Sequence, residues 1–300
     1  MVKPKISRRI KAIVGIESAI VLIAFVVVAA ALAFVVLNMG FFTTQKSKET
    51  IGSGLGEASS ALEIDGTVVA GVNISGSSVT YFYIPLKLSA GKASIDVTPG
   101  KSVVSLWSPT KGYTYGDIYV ATLTSKLTDA GQGCFSPASF DNTTIAKNAV
   151  NISVGNQNLI GLTLGSNTTN SNTYCLIIAS YNTTNTKNIT DIRIINVTYN
   201  DYLAMSVGSY PSPDIVDKIA SSLSNILNRS VAVVAWVSNR NNDNVLDPGE
   251  KVILLVHLND KDQLGAYDLF KVEFKIPVGA SLTVERSVPA SLNQQIIDLG

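Results

Sequence analysis

From Ile16 to Phe42 the chain is almost unbroken in apolar residues, IESAIVLIAFVVVAAALAFVVLNMGFF, and Glu17 is its only charge. As a helix at 1.5 Å per residue this stretch spans roughly 40 Å, enough to cross a hydrocarbon core of ~30 Å. The following TTQKSKETIGSGLGEASSALEI keeps a helix-compatible pattern: Ile51, Leu55, Ala58 and Leu62 recur at three- or four-residue steps, with a looser interval back to Phe41. Lys46, Lys48, Glu49 and Glu57 supply its polar positions. Gly52, Gly54 and Gly56 each cost about 1 kcal/mol against Ala, which predicts a bendable or interrupted second half. Carried from Ile16 to Leu62 the helix is on the order of 70 Å long. A lone anchor needs no such stalk, whereas a helix that packs against copies of itself does.

From about Asp65 the pattern shortens to alternating runs broken by Gly, Pro, Asn and Ser. TVVAGVNI, SVTYFYIPLKL, SIDVTPG, SVVSLW, DIYVATLTSKL, NLIGLTL, YCLIIASY, IRIINVTY, VAVVAWV, KVILLVHL and FKVEFKI all read as strands. Their number and spacing predict an antiparallel β-sandwich of immunoglobulin-like type. One helix interrupts, at Pro213 to Leu227, where PDIVDKIASSLSNIL has Pro at its start and apolar residues at helical spacing. The fold class is thus α+β: a long N-terminal hydrophobic helix over 16–62, then a β-domain over 63–300.

Charge changes the picture at the N-terminus. Residues 1–15, MVKPKISRRIKAIVG, carry Lys3, Lys5, Arg8, Arg9 and Lys11 and no acid. By the positive-inside rule this leader stays cytoplasmic, which puts the bulk of the chain outside. A cleaved secretory signal would have an apolar region of 7 to 15 residues and a small-residue cut site, and this run is too long for that. The run is rich in small residues, with Ala at 19, 24, 29, 30, 31 and 33, and Gly40. Small side chains allow close helix packing, although Ala is equally at home facing lipid. Over the whole chain only 15% of residues are charged and the formal net charge is +1. That excludes a basic nucleic-acid binder, and one His with two distant Cys excludes a Cys/His zinc site.

A short basic leader, a Gly, and then IESAIVLIAFVVVAAALAFVVLNMGFFTTQKSKETI resembles the N-terminus of the archaellins, the subunits of the archaeal flagellum. More widely it is similar to archaeal proteins with class III, type IV pilin-like signal peptides. The resemblance covers about residues 11 to 65, and the β-domain agrees in kind. It implies that a prepilin peptidase cuts between Gly15 and Ile16, removing the leader and leaving a net-negative mature chain. It implies an assembly ATPase and a polytopic membrane platform as partners, with the chain inserted in the cytoplasmic membrane before it joins a filament outside the cell. Two features depart from the pattern. Ala12, Ile13 and Val14 precede Gly15, which displaces the basic charge to Lys11, and the fifth position of the mature chain is Ile20 where bacterial pilins carry Glu. Glu17 is the carboxylate available to a neighbouring subunit's terminal amine, or simply a carboxylate near the membrane surface.

The β-domain offers several candidate sites. Sequons of the form N-x-S/T begin at Asn73, Asn142, Asn151, Asn167, Asn182, Asn188, Asn196 and Asn228; outside the membrane they are glycosylation candidates, though an Asn/Thr-rich stretch produces some by composition. Cys134 and Cys175 can form a disulfide in an oxidising exterior, or sit as two buried thiols. In Asn239-Arg-Asn241-Asn-Asp243-Asn-Val245-Leu-Asp247-Pro-Gly-Glu250, oxygen side chains fall at positions 1, 3, 5, 9 and 12. Val245 offers a carbonyl at position 7, so the spacing is that of an EF-hand-like Ca²⁺ loop. Asn244 stands in place of the Gly at position 6, and a polar hairpin turn would have the same composition. Archaellins carry similar acidic loops, some of which bind metal. Catalytic signals are weak: Gly52-Ser53-Gly54-Leu55-Gly56 misses the nucleotide-binding spacings, and His257 lies in an apolar strand, where a structural role is expected.

The expected function is therefore a structural filament subunit, not an enzyme, that polymerises with itself. The motility filament is the first reading and a non-rotating adhesion filament the second. A membrane-anchored, non-polymerising surface binding protein is the alternative of another class, and it predicts an uncleaved leader and detergent-soluble monomers. A secreted glycan-active enzyme comes third.

Overall fold

The structure is a computed structural model of the chain that describes residues 10–59, 62–89, 94–123, 127, 129, 134, 150–154, 158–167, 173–182, 185–207 and 212–300. It divides into two compact units, Met1–Leu55 and Gly56–Gly300.

The described part of the first unit is helical throughout: it belongs to α1, Ile10–Ser59, of 50 residues and therefore about 75 Å long. Where sequence reasoning expected a bendable or interrupted stretch at Gly52, Gly54 and Gly56, the helix continues without interruption. An already nucleated helix extends at one hydrogen bond per residue, so glycines near Leu55, Glu57 and Ala58 weaken it without ending it. Thr43, Thr44 and Thr50 donate their hydroxyls to the carbonyls of Met39, Gly40 and Lys46, each at 2.8 Å, so these polar groups are satisfied within the helix. The helix ends at Ser59, and Leu62, expected as its last residue, instead opens the first strand, β1 (Leu62–Ile64).

In the second unit, β2 (Val69–Asn73), β3 (Ser78–Leu88), β7 (Tyr119–Leu123), β12 (Val231–Ser238), β14 (Lys251–His257) and β17 (Ile296–Asp298) join β1 in a seven-stranded sheet. The order is β17-β2-β3-β14-β12-β7, with β1 also on β3, and every pairing is antiparallel except β12 with β7. Packed on one face is a four-stranded sheet of β16 (Leu282–Ser287), β15 (Leu269–Lys275), β5 (Val103–Ser108) and β6 (Tyr113–Tyr115), in that order. The core between them contains Phe82, Ile84, Leu86, Val234, Trp236 and Leu254 from the larger sheet and Leu106, Phe270 and Phe274 from the smaller. The rings of Phe82 and Phe270 stack at 4.5 Å. These two sheets form the expected sandwich.

The opposite face of the seven-stranded sheet is also covered. A second four-stranded sheet, β11 (Asn185–Val197), β10 (Thr173–Asn182), β9 (Asn158–Asn167) and β8 (Val150–Val154), joins a helix at Pro213–Leu227 to bury Val231, Val233, Ala235 and Leu255. Burial on both faces explains why VAVVAWV reads as a continuous apolar run and does not alternate. The strand expected to run to Tyr199 stops at Val197, and Tyr199–Val207 is a short helix, α2, which makes the Pro213–Leu227 helix α3. Pro213 sits in the first turn of α3, and Asn228 ends it in the left-handed conformation at φ 51°, its N–H donating to the Ser224 carbonyl. SIDVTPG gives only β4 (Ile95–Asp96), which pairs with β13 (Val245–Leu246). One glycine in the larger sheet answers to packing: a Cβ at Gly71 would lie 2.1 Å from Tyr81 Cζ.

Candidate functional site

Between Ala19 and Phe42 the helix of the first unit is apolar around its whole circumference. The only polar side chain there is Asn38, and Phe25, Phe34 and Phe41 are 76%, 66% and 68% exposed. A helix that packs one face on a soluble core has an opposite polar face; this one has none, so it needs lipid or other helices on every side. Gly15–Gly52 is long and apolar enough to cross a membrane, its most apolar 18-residue window having a mean hydropathy of 3.3. Lys46 and Glu49 pair at 2.7 Å beyond the apolar stretch; both are exposed, and such a pair contributes only a few tenths of a kcal/mol. The Gly15–Ile16 bond lies within α1, and a Cβ at Gly15 would meet nothing within 4 Å.

Where the chain enters the β-domain, ion pairs fix β1 beside β3. Lys251 lies 2.5 Å and Lys87 3.2 Å from Asp65, and Lys87 also reaches Glu63 at 3.4 Å. The Lys251 and Lys87 ammonium groups hold the Asp65 carboxyl below the usual carboxylate range. Farther along, the Tyr115 and Ser230 hydroxyls donate to the two carboxylate oxygens of Asp262 at 2.8 and 2.6 Å. Burial, followed by that hydrogen bond, pushes the Tyr115 hydroxyl up to about 12. His257 Nδ1 lies 3.0 Å from Asp217 Oδ1, linking β14 to α3, so this histidine is a structural tie.

Cys134 and Cys175 are joined by a disulfide with their Cα atoms 5.8 Å apart. Cys175 is fully buried on β10 beside Ile177 and Ala179. Closing a loop of 41 residues contributes about 3–4 kcal/mol on the chain-entropy model. Replacing both residues by Ser is expected to lower the unfolding free energy of the β-domain by that amount in urea denaturation; coincident midpoints would overturn the estimate.

The sequons fall in different settings. Asn73, Asn196 and Asn228 are exposed. Asn73 Oδ1 also accepts from the Gly76 amide at 3.3 Å, and Asn228 doubles as the left-handed cap of α3. Asn151, Asn167, Asn182 and Asn188 lie on β8, β9, β10 and β11, with their side chains outside the described residues, and Asn142 lies outside them altogether.

The loop from Asn239 to Glu250 closes on itself. Glu250 is buried, and its carboxylate accepts the backbone N–H groups of Arg240 at 2.6 Å and Asp247 at 3.0 Å. Asn241 Nδ2 donates to Asp243 at 2.9 Å and Asp247 at 3.0 Å, and Ser94 donates to the other Asp247 oxygen. Asn239 Nδ2 donates to the Asp243 carbonyl at 2.9 Å. The left-handed residues are Asn242, φ 56°, and Gly249, φ 89°, and not Asn244 as the Ca²⁺ spacing requires. The Val245 backbone N–H donates to Asp243 Oδ1 at 2.8 Å. Among the described residues no three His, Cys, Asp or Glu side chains gather as a ligand group, and the side chains of Asn239, Asn241, Asp243, Asp247 and Glu250 are engaged in the hydrogen bonds of this turn. Glu250→Ala, which strands two amides from a charged acceptor, is expected to destabilise the domain by about 2–3 kcal/mol. A chelator is expected to leave the wild-type melting temperature unchanged.

Sequence reasoning missed α2, although the signal was present in Thr198-x-x-Asp201. The Asp201 amide donates to Thr198 Oγ1 at 3.2 Å, and that hydroxyl donates to Asp201 Oδ2 at 2.6 Å, a reciprocal cap at the helix start.

Residues 12–286 match the family described as archaeal-type flagellin. Probable flagellin 1 of Aeropyrum pernix is 34% identical over 289 residues, 95% of each chain. Flagellin FlaB2 of Saccharolobus shibatae is 40% identical over 114 residues, 38% of this chain and 37% of its own. Among solved structures, the chain is similar to the archaeal flagellum of Methanospirillum hungatei, with a TM-score of 0.45 and 19% identity, covering 94% of this chain and 98% of that one.

Proposed function

This chain belongs to the archaeal-type flagellin family, and from that premise we propose that it is the structural subunit of the archaeal motility filament, polymerising through α1. It is a structural protein and not an enzyme. The observation that carries the assembly reading is the helix without a polar face. Burying ~20 apolar side chains at about 1.5–3 kcal/mol each amounts to tens of kcal/mol relative to water, so a free subunit does not persist in solution. Relative to lipid the gain is far smaller, because lipid tails are as apolar as the side chains. The subunit is therefore stable as a membrane-inserted monomer, and moving it into the filament calls for machinery, in this reading an assembly ATPase and a membrane platform protein. A prepilin peptidase first cuts between Gly15 and Ile16 and discards the five basic residues of the leader, which otherwise tether the N-terminus to the cytoplasmic face.

The test is electron microscopy of material sheared from the cell surface, with N-terminal sequencing of this protein within it. Filaments whose subunit begins IESAIVL are the expected result. Membrane-bound protein that keeps its basic leader, with no filaments, would mean a simple anchor.

A further inference from the structure

On β5 and β15 the pleat sends Val104, Leu106, Phe270, Val272 and Phe274 into the core and alternate residues to the outer face. The chain has two tryptophans: Trp236 is 1% exposed, whereas Trp107 is 43% exposed on that outer face. Lys271 is the cross-strand partner of Trp107, and its ammonium lies 5.6 Å from the ring centroid, a cation–π contact that uses one face of the indole and holds its orientation. Around the ring runs a groove of about 360 Å³ whose walls include Ser105, Thr114, Glu273 and Lys275. That volume falls within the ~300–1,000 Å³ range of small-ligand sites.

The chemistry of the groove selects its occupant. Lys275 pairs with Glu273 at 3.4 Å, and Lys271 faces Glu285 across the β15–β16 ladder, so the two cations are matched by two acids. An anionic polymer would want uncompensated cations. A protein partner would want a cluster of exposed apolar side chains at the centre of the patch, and here Trp107 is the one exposed apolar side chain of the lining, beside buried Leu106 and half-buried Tyr115. A pyranose meets both conditions. Its C–H-rich face carries partial positive charge and stacks on the electron-rich face of an indole, and its rim of hydroxyls needs donors and acceptors side by side. Lys271 and Lys275 donate, Glu273 accepts, and Thr114 does either.

We propose that the Trp107 groove is a carbohydrate-binding face that takes neutral hexopyranose units of a polysaccharide. The site belongs to the β-domain alone, so its loss leaves polymerisation intact, and a chain that fails to polymerise keeps it.

The test uses the full-length chain in a detergent without a sugar headgroup, titrated with a soluble glucan, a mannan and a galactan. Binding is followed by calorimetry and by tryptophan emission, in which buried Trp236 also reports that each variant is folded. At least one of the three polymers is expected to bind saturably and shift the emission, with no loss at high salt. Trp107→Ala is expected to weaken binding about tenfold or more, and Lys271→Ala about threefold, with Trp236 emission unchanged. No binding to any of the three, or binding that survives Trp107→Ala, overturns the proposal. So does binding confined to an acidic polymer and abolished by salt, which would mean an anionic ligand. An emission change that follows protein concentration alone would mean a contact between copies, and it too overturns the proposal.

Discussion

Val27→Lys is expected to abolish filaments. Val27 lies in the middle of the apolar stretch, 61% exposed on a helix with no polar face to receive an ammonium group. The nearest charges along the chain, Glu17 and Lys46, are about 15 and 28 Å away along the helix axis, beyond the reach of a lysine side chain. In the membrane such a charge costs about 2.5–3.5 kcal/mol on insertion scales, and between packed helices it has neither a partner nor water. Every subunit of a homopolymer carries the defect, so the penalty recurs at each addition. Val27→Ile keeps the site apolar and is expected to leave filaments intact. Electron microscopy of sheared surface material, with an immunoblot of the membrane fraction, reads both variants. Filaments of ordinary length from the lysine variant would remove α1 from the assembly interface.

Phe82→Ala is expected to lower the stability of the β-domain by about 3–5 kcal/mol, the usual range for emptying a buried aromatic site. Phe82 is completely buried, and its ring stacks on Phe270 from the opposing sheet. The truncation therefore leaves a cavity in the centre of the sandwich and removes an aromatic pair that contributes about 0.5–1.5 kcal/mol beyond burial. Urea denaturation followed through Trp236, in the same core cluster, gives the loss. Combining the change with Phe270→Ala separates the pair from the cavity: if the two losses simply add, the rings do not couple. A midpoint within error of wild type would contradict this core.

The elements legible in the sequence were those whose pattern answers to a single surface. The apolar helix could be read because every position obeys one rule, and α3 because Ile215, Ile219 and Leu223 repeat toward one face. Two-sided burial also left its mark, in the continuous run of β12. What escaped depends on partners distant in sequence. β1 looked like the end of a helix because Leu62 fits helical spacing; its strand state comes from pairing with Leu88 on β3. The parallel contact of β7 with β12 brings Tyr119 beside Ala232, and no local pattern encodes that neighbour. The Asn239–Glu250 loop is ambiguous in the opposite sense. Its oxygens have the periodicity of a cation cage, yet the same residues can saturate one another and the backbone, and spacing alone does not distinguish the two. Trp107 is different again: a tryptophan in an alternating strand carries no sign of whether it lies on the inner or the outer face until the register with β15 is known.

β7 and β12 lie side by side, although Leu123 and Val231 are separated by more than a hundred residues of chain that include β8–β11, α2 and α3. From the standpoint of the sandwich, that whole excursion is a single insert leaving and re-entering at one seam. Lengthening, shortening or exchanging it need not disturb the pairing of the other strands. One obligation passes to any replacement: it must roof Val231, Val233, Ala235 and Leu255, which would otherwise face water. The insert's inner face is thus fixed by the residues it must cover, while its other face is free of that demand and can vary in sequence without unmaking the sandwich.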